Sequence, residues 1–431
     1  MKRNASAKLN AAAVRRAEAR HLMNTYKRPP QVFTHGKGCY LYDHRGKRYL
    51  DFLGGIAVNA LGHDHPRLVR VIRREAARAI HISNLFHNPF QGPLAAKLAA
   101  WSGMDRVFFT NSGTEAVEGA LKLARLYARQ NAPAGAAPPW RILALENSFH
   151  GRTFGSVSIT HTAKYREPFA PLVPGADFVA FNDVADLESK FDASVCAMVL
   201  ETIQGEGGIH PVSEAFYLRA RELATRHNAL LIADEIQCGL GRTGRYFACQ
   251  KFSALPDVAV VAKPLAAGLP LGAILAREKF AAAFTPGVHG TTFGGGPLVC
   301  AAALEFLRTV EEEQILENVR ERGGELFAGL ESLARKFDFI REVRGEGLII
   351  GVELAVPGAP YVAAALRRGV ILNCTHDFTL RLLPPFVLRS AQVKEFLGAF
   401  ETILSKTPRP RTTEQPEPQT AAAPRALAAV R

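Results

Sequence analysis

Two ionisable residues end consecutive apolar runs in the middle of the chain. Asp234 follows the run "ALLIA", and Lys263 follows the run "VAVVA", 29 residues later. Alone, a strand-end lysine usually rests its stem on apolar surface, and a buried aspartate usually caps a helix or pairs with a cation. Together they match what pyridoxal phosphate requires: a lysine amine for a Schiff base and a carboxylate beside the pyridinium nitrogen. The sequence therefore predicts that Lys263 and Asp234 are catalytic, with the lysine also acting as general base.

A helix that begins directly after an apolar run offers a place for the phosphate of such a cofactor. "RVFF" leads into "TNSGTEAVEGALKLAR", in which Ser112, Gly113 and Thr114 open a helical pattern. The free N–H groups and the positive dipole end of a helix N-terminus bind phosphate. An ordinary N-cap with Glu115 in the first turn explains the same residues, so this pattern alone leaves both interpretations open.

The segment "NSFHGRT" adds an aromatic ring and a cation. Phe149 could lie on a planar ring, and the guanidinium of Arg152 suits a carboxylate. Each residue by itself is more often packing or surface charge. His150 is interpreted as structural, because a lysine already supplies the base.

One glycine motif points to different chemistry. Residues Gly239 to Gly244, "GLGRTG", satisfy the dinucleotide pattern G-x-G-x-x-G. In dinucleotide-binding proteins that pattern follows a strand immediately and opens a helix. Here its first glycine comes five residues after Asp234, and no strong helical pattern follows. A nicotinamide site at this place is therefore disfavoured.

The elements that position these residues repeat one arrangement five times. Apolar runs of four to six residues are each followed at once by a polar or glycine-rich cluster, and helical stretches such as 115–130 and 213–227 lie between several of them. Nearly continuous apolar strands that alternate with helices are typical of a parallel sheet covered on both faces. Ligands of such sheets bind beyond the carboxyl ends of the strands. The five clusters are therefore expected to meet at one crevice.

Composition and charge narrow the class of protein. The net charge is +13, but residues 1–20 carry +5 of it and residues 407–431 carry +2. The remainder is too thin for a nucleic-acid surface and suits anionic small substrates. No apolar run approaches the ~20 residues of a membrane span. Six scattered cysteines without CxxC or zinc spacing favour a cytoplasmic protein without a metal.

The chain is expected to form a large domain and a smaller one. Residues 37–55 are predicted to form a β-hairpin that turns at Arg45-Gly46, and an α+β segment follows residue 305. We expect an N-terminal arm and part of the small domain in 1–65, the cofactor-binding domain in 66–305, and the C-terminal small domain in 306–406. The start of the chain has the period of a surface helix. Residues 407–431 are rich in Pro, Ala and Thr and are expected to be disordered.

Several of these segments together resemble a known family. "NSGTEA", "SFHGRT", "QGEGG", "ADEIQCGLGRTG", "AKPLAAGLPLG" and "HGTTFGG" resemble, in order and spacing, the class-III, ornithine-type aminotransferases. The resemblance runs from about Leu22 to Leu404. "LMNTY", "DFLGGIAVNALGHDHP", "HISNLFHNP" and "LRLLPP" are most similar to acetylornithine aminotransferases. It implies fold-type-I architecture, with a large domain built on a mainly parallel seven-stranded sheet covered by helices and a smaller α+β domain from both chain ends.

The resemblance also implies roles for individual residues. Lys263 would hold pyridoxal 5'-phosphate covalently and Asp234 would contact its ring nitrogen. The other residues implied in cofactor binding are Ser112, Gly113, Thr114, Phe149, Glu235, Ile236, Gln237 and, from across a homodimer, Thr292. Substrate would be bound by Arg152, Thr291 and Arg381, with Glu206 as the movable ion-pair partner of Arg381.

Three positions depart from the family pattern. Pro264 to Gly268 stand where the sequence after the lysine usually reads G-L-G-G-G. Thr291 and Gly296 replace a more usual serine and asparagine. None of these positions carries the chemistry, although the first two could adjust the fit of the substrate.

The expected activity is transfer of the distal amino group of N2-acetyl-L-ornithine to 2-oxoglutarate, a step of arginine biosynthesis, by a homodimer with shared active sites. Rival donors with the same mechanism are N-succinylornithine, ornithine, an acylated diaminopimelate or lysine precursor, and 4-aminobutyrate. Rivals of other classes are a nicotinamide dehydrogenase and a cofactor-free binding protein on the same scaffold.

Overall fold

The structure is a computed structural model that describes residues 9–409. Its helices are α1 Ala11–His21, α2 Gly54–Ala57, α3 Pro66–Ala76, α4 Gln91–Ser102, α5 Gly113–Gln130, α6 Phe154–Ser158, α7 Ala163–Arg166, α8 Val184–Lys190, α9 Glu214–Arg226, α10 Glu278–Ala281, α11 Pro297–Glu312, α12 Ile315–Lys336, α13 Ala359–Arg367 and α14 Ser390–Lys406. Its strands are β1 Phe33–Lys37, β2 Tyr40–Asp43, β3 Arg48–Asp51, β4 Arg106–Thr110, β5 Arg141–Leu145, β6 Ala176–Val179, β7 Val195–Glu201, β8 Ile203–Gln204, β9 His210–Pro211, β10 Leu230–Asp234, β11 Val258–Val261, β12 Gly272–Ala276, β13 Ile340–Glu346, β14 Ile349–Leu354, β15 Val370–Ile371, β16 Asn373–Thr375 and β17 Thr379–Leu382.

A seven-stranded sheet forms the centre of the molecule, in the order β4-β12-β11-β10-β7-β5-β6. Its pairs are parallel except on both sides of β12, which runs antiparallel to β11 and β4. The predicted mainly parallel sheet is confirmed. The sequence did not indicate the reversed strand, because every residue of β12 is buried and a strand buried on both faces reads the same in either direction.

Helix α5 shows how the sequence positions elements on this sheet. Its buried side chains recur every three or four residues, with Ala116, Ala120, Leu123 and Tyr127 among them, so one face packs on the sheet. Ser112 is its N-cap and accepts a hydrogen bond from the N–H of Glu115. The start of the helix is therefore fixed beside the end of β4.

Two smaller sheets flank the centre. Strands β1, β2 and β3 pair antiparallel, and β15 from the C-terminal third adds in parallel to β3. The predicted hairpin of residues 37–55 lies in this sheet. The second sheet has the order β13-β14-β17-β16 and is entirely antiparallel. The expected α+β part from both chain ends is therefore present.

Helix α1 agrees with the helix expected near the start of the chain. The predicted disordered tail of 407–431 falls outside the described residues from 410 onwards. None of the helices between residues 9 and 409 combines the length and apolar character needed to span a bilayer. Within the same range, no group of three or more His, Cys, Asp and Glu is arranged to hold a metal ion.

Candidate active site

A cavity of about 460 Å³ opens at the carboxyl ends of the parallel strands. All five clusters that follow apolar runs contribute to its walls. The lining residues that matter for the chemistry are Ser112, Gly113, Thr114, Phe149, His150, Arg152, Glu201, Asp234, Ile236, Gln237 and Lys263. The expected convergence on one crevice is therefore observed, because the carboxyl ends of parallel strands share one edge of a sheet.

Asp234 and Lys263 lie on neighbouring strands of this edge. Asp234 is the last residue of β10 and is only 3% exposed, opposite Val260 of the parallel strand β11. Lys263 begins a short 3₁₀ helix directly after β11 and has a φ of 25°, a value that side-chain-bearing residues rarely adopt. Strained backbone of this kind concentrates at functional sites, where the surrounding structure holds it in place.

The amine of Lys263 is held in a state suited to proton transfer. Burial lowers its pKa, and the nearby Arg381 guanidinium lowers it further, while Glu206, Asp234 and Glu201 raise it. The net direction is downward, so the neutral amine is more accessible than in a lysine in water. A neutral amine is both a nucleophile and a base.

His150 is a site residue that sequence reasoning assigned to structure. Its Nδ1 lies 2.7 Å from Oδ2 of Asp234, and the imidazole is buried. The other carboxylate oxygen of Asp234 accepts the N–H of Ile236 at 3.1 Å. Burial lowers the pKa of His150, but the hydrogen bond and charge of Asp234 outweigh burial, so the net shift is upward. Since 84 residues separate the pair, no local pattern could have indicated it.

Glu201 was also missed. It is the last residue of β7, and its carboxylate accepts the N–H groups of Phe149 at 2.9 Å and Gly205 at 2.8 Å. Burial is the main cause that raises its pKa to about 7, and Asp234 adds to the rise. The one signal in the sequence was its position at a strand end, the same signal that identified Asp234.

The N-terminus of α5 forms one end of the cavity. A Cβ at Gly113 would lie 2.8 Å from Cδ1 of Ile236, and one at Gly272 would lie 2.6 Å from the carbonyl oxygen of Ser112. The hydroxyl of Thr114 accepts the N–H groups of Arg152 and Thr153 at 3.3 Å. Glycine therefore lets backbone approach the cavity closely at this end, as a phosphate cradle requires.

The two predicted substrate arginines differ in environment. The Arg152 guanidinium is exposed and stacks 3.7 Å from the ring centroid of Tyr165, a contact that the sequence did not indicate, and 5.4 Å from that of Phe149. Arg381 is 1% exposed, and its Nη1 contacts Glu206 at 2.6 Å and Oε1 of Gln237 at 3.0 Å. One cation faces the opening, and the other is buried and neutralised.

Three residues of the predicted set lie away from the cavity. The carboxylate of Glu235 accepts the N–H groups of Ala248 and Cys249, at 2.8 and 2.7 Å, so it holds a neighbouring loop instead of lining the cavity. Thr291 and Thr292 do not line the cavity of their own chain. Thr291 accepts a hydrogen bond at 3.1 Å from Asn111, which does line it, and Thr292 is exposed.

The G-x-G-x-x-G segment 239–244 forms turns and does not open a helix. The next helical residues are a short 3₁₀ helix at Ala248–Lys251. The expectation against a dinucleotide site there agrees with this geometry, since such a site needs a helix N-terminus for the pyrophosphate.

Comparison with known proteins assigns the family. A sequence model described as Aminotransferase class-III matches residues 22–404. The chain belongs to the class-III aminotransferases. An acetylornithine aminotransferase of Aquifex aeolicus is 43% identical over 386 residues, which cover 89% of this chain and 100% of that protein.

Solved structures of class-III aminotransferases agree with this assignment. A structure of ornithine aminotransferase from Toxoplasma gondii, with partial occupancy of PLP at its active site, has 32% identity and a TM-score of 0.87 over 93% of this chain and 95% of that chain. An acetylornithine aminotransferase from Elizabethkingia anophelis has 31% identity and a TM-score of 0.82, covering 92% of this chain and 100% of that one. The fold is thus the fold-type-I architecture that the sequence predicted.

Pyridoxal phosphate is the cofactor of this aminotransferase family, and the cavity fits it. The N-terminus of α5 and Gly113 make room for a phosphate, while the buried carboxylate of Asp234 can face a ring nitrogen. Phe149 and Ile236 both line the cavity and offer flat or branched apolar surface to a ring. The amine of Lys263 lies in the same cavity, so the donor set is complete within one chain except for any group from a partner.

Proposed function

We propose that this class-III aminotransferase transfers the distal amino group of N2-acetyl-L-ornithine to 2-oxoglutarate, giving N-acetyl-L-glutamate 5-semialdehyde and L-glutamate in arginine biosynthesis. The observation that carries the proposal is the pair of arginines, one exposed at the mouth and one buried against Glu206. Relatives named acetylornithine aminotransferase, 41–44% identical over about nine tenths of the chain, support the choice of donor.

Each catalytic residue has a task that follows from its surroundings. Bound pyridoxal phosphate supplies an electron sink for the pair left on carbon when the substrate loses a proton. Asp234 keeps a proton on the ring nitrogen, and His150 holds Asp234 in place through the 2.7 Å contact. Lys263 anchors the cofactor, and its Nζ, with its lowered pKa, then takes and returns the substrate proton.

The arginines explain how one site accepts two unlike substrates. Arg152 binds the carboxylate of the acylated diamine, while the 2.6 Å ion pair with Glu206 keeps Arg381 neutralised. When glutamate or 2-oxoglutarate enters, Glu206 swings away and Arg381 binds the α-carboxylate. Glu206 can move because its side chain is 30% exposed, whereas that of Arg381 is 1% exposed.

A homodimer with shared active sites is part of the proposal. Thr292 is exposed and points away from its own cavity, so it would reach the phosphate of the neighbouring subunit. Exposed apolar side chains adjoin its loop, including Leu85 at 87%, Phe86 at 69% and Phe293 at 64%. Apolar surface of this kind marks an interface.

The remaining proposals concern organisation and compartment. We keep the division of the chain at 65/66 and 305/306, although the second boundary falls within α11. Six cysteines without a disulfide between them support a cytoplasmic, reducing compartment.

A panel of amino donors with 2-oxoglutarate tests the proposed function. N2-acetylornithine should show the highest kcat/KM, exceeding ornithine, N-succinylornithine, acylated diaminopimelate and 4-aminobutyrate by at least ~10-fold, the usual effect of a few pocket contacts. The Lys263→Ala variant, assayed in parallel, controls for contaminating enzymes and should be inactive. A higher kcat/KM with any other donor would replace acetylornithine in the proposal.

A further inference from the structure

Arg242, inside the glycine segment 239–244, is a buried cation without an acidic partner. It is 0% exposed, and it forms no ion pair with any of residues 9–409. Its Nε and Nη2 have no hydrogen-bond acceptor in the protein. Burial lowers its pKa to about 9. A buried arginine with so little compensation is costly for folding, so its retention calls for a further reason.

The contacts that Arg242 does make all join it to the C-terminal antiparallel sheet. Its Nη1 donates to the carbonyl oxygens of Leu348 at 3.0 Å and Pro384 at 2.5 Å. Its guanidinium lies 4.4 Å from the ring centroid of Phe386, and its own carbonyl accepts the N–H of Leu348 at 2.9 Å. These acceptors directly precede β14 and directly follow β17.

Both ends of this link lead into the active site. Going backwards from Arg242, the chain reaches Gln237 and then Asp234; going backwards from Pro384, it reaches Arg381. The same two segments meet a second time where Nη1 of Arg381 donates to Oε1 of Gln237 at 3.0 Å. Segment 234–242 and segment 381–384 are therefore fastened at two points, one at each end.

We propose that Arg242 is a positioning residue that fixes the distance between Arg381 and the Asp234–Lys263 pair. A dicarboxylate must reach Arg381 with one carboxylate while its reacting carbon lies at Lys263, so a shift of β17 along this seam would misplace it. Arg242 prevents the shift because its planar guanidinium binds two carbonyls at once. The acylated diamine, bound through Arg152 at the mouth, does not depend on this seam.

This inference rests on the proposed role of Arg381, and the test separates the two. Holoenzyme variants Arg242→Met, Arg242→Lys and Arg381→Gln are titrated calorimetrically with glutarate, which has two carboxylates but no amino or keto group and therefore binds without reacting. The glutamate and acetylornithine half-reactions are then followed separately. Arg320→Met is the matched control, since Arg320 donates at 2.7 Å to Gly244 of the same segment from a half-exposed position.

Arg242→Met should weaken glutarate binding and kcat/KM for glutamate by on the order of tenfold, while the acetylornithine half-reaction changes less than about twofold. Arg242→Lys should recover part of the loss and keep the variant folded if Arg242→Met is unstable. Arg320→Met should change neither ratio.

Three results would overturn the inference. If Arg381→Gln weakens glutarate but neither Arg242 variant does, Arg242 does not position Arg381. Equal losses in both half-reactions would make Arg242 a general stabiliser. If Arg381→Gln leaves glutarate binding intact, the proposed substrate role of Arg381 fails and the positioning role fails with it.

Discussion

At the scale of single residues, the carboxylate of Asp234 is held on both oxygens, by His150 and by the N–H of Ile236. Its charge also shapes the groups around it. It raises the pKa of His150 through their hydrogen bond and adds to the rise of the pKa of Glu201. Protons are therefore bound more tightly near Asp234 in the folded protein than in the unfolded chain, and folding stability must depend on pH.

The first prediction concerns His150→Asn in the apo-protein. The folded-state pKa of His150 lies above its ordinary value of 6.5, so its stabilisation is complete below pH 6.5 and is lost as pH rises through the folded pKa. The free energy of unfolding should fall with pH in this window by up to about 1.4 kcal/mol per pH unit in the wild type. Asparagine keeps a donor near Asp234 but does not titrate, so the slope should flatten.

Urea unfolding at closely spaced pH values measures the slope. Glu201→Gln is the control, because the raised pKa of Glu201 contributes with the same sign only between 4.5 and about 7. Its slope above pH 7 should match the wild type. An unchanged slope in His150→Asn would show that His150 binds no additional proton on folding.

At the scale of elements, the N-terminus of α5 serves both interpretations that the sequence left open. The Ser112 hydroxyl caps the helix, and Oε2 of Glu115 accepts the backbone N–H of Asn111 at 2.9 Å. The free N–H groups at the helix start remain available to an anion, and Gly113 keeps Ile236 close to them. A plain helix cap and a phosphate cradle are thus the same structure.

The second prediction is that Gly113→Ala separates cofactor binding from folding. Its Cβ would lie 2.8 Å from Cδ1 of Ile236, so Ile236 must be displaced towards the cavity. The dissociation constant for pyridoxal phosphate should rise by about tenfold, equivalent to ~1.4 kcal/mol. The apo-protein should be no less stable, since alanine favours a helix over glycine by about 0.5–1 kcal/mol.

Absorbance titration of the apo-protein with pyridoxal phosphate gives the dissociation constant. Gly324→Ala is the matched control, because Gly324 lies within α12 and an added Cβ there meets no atom within 4 Å. It should raise stability without changing cofactor affinity. Equal affinities of the two variants would remove Gly113 from the cradle.

At the scale of the whole molecule, the site lies on a seam between two sheets. Side chains of the C-terminal sheet donate to successive carbonyls of the 205–208 loop: Arg381 to Gly205 at 3.1 Å, Thr375 to Glu206, and Arg344 to Gly208 at 2.8 Å. The loop that carries Glu206 is therefore fixed by its backbone, while the Glu206 side chain stays partly exposed. On the opposite side, Asn84 holds the 291–295 loop through the carbonyls of Thr291 and Gly294.

The third prediction is that two inactive chains restore activity when mixed. Lys263→Ala lacks the catalytic amine, and Thr292→Trp obstructs the phosphate of the neighbouring site in the proposed dimer. A heterodimer then collects both lesions in one site and leaves the other intact. Random exchange of subunits should restore about a quarter of wild-type activity, since half of the dimers are mixed and each has one working site. If verified heterodimers stay inactive, the sites are not shared.

The sequence by itself determined the features that depend on local pattern. Apolar runs followed by polar clusters predicted the strands, the crevice and the placement of Asp234 and Lys263, because parallel strands must end at one edge. The tertiary structure alone decided which distant groups meet. His150 and Asp234 are 84 residues apart, and Arg381 and Glu206 are 175 apart. The direction of β12 and the burial of Arg242 without an acid were decided in the same way, since neither leaves a local signature and both arise only when separate segments pack together.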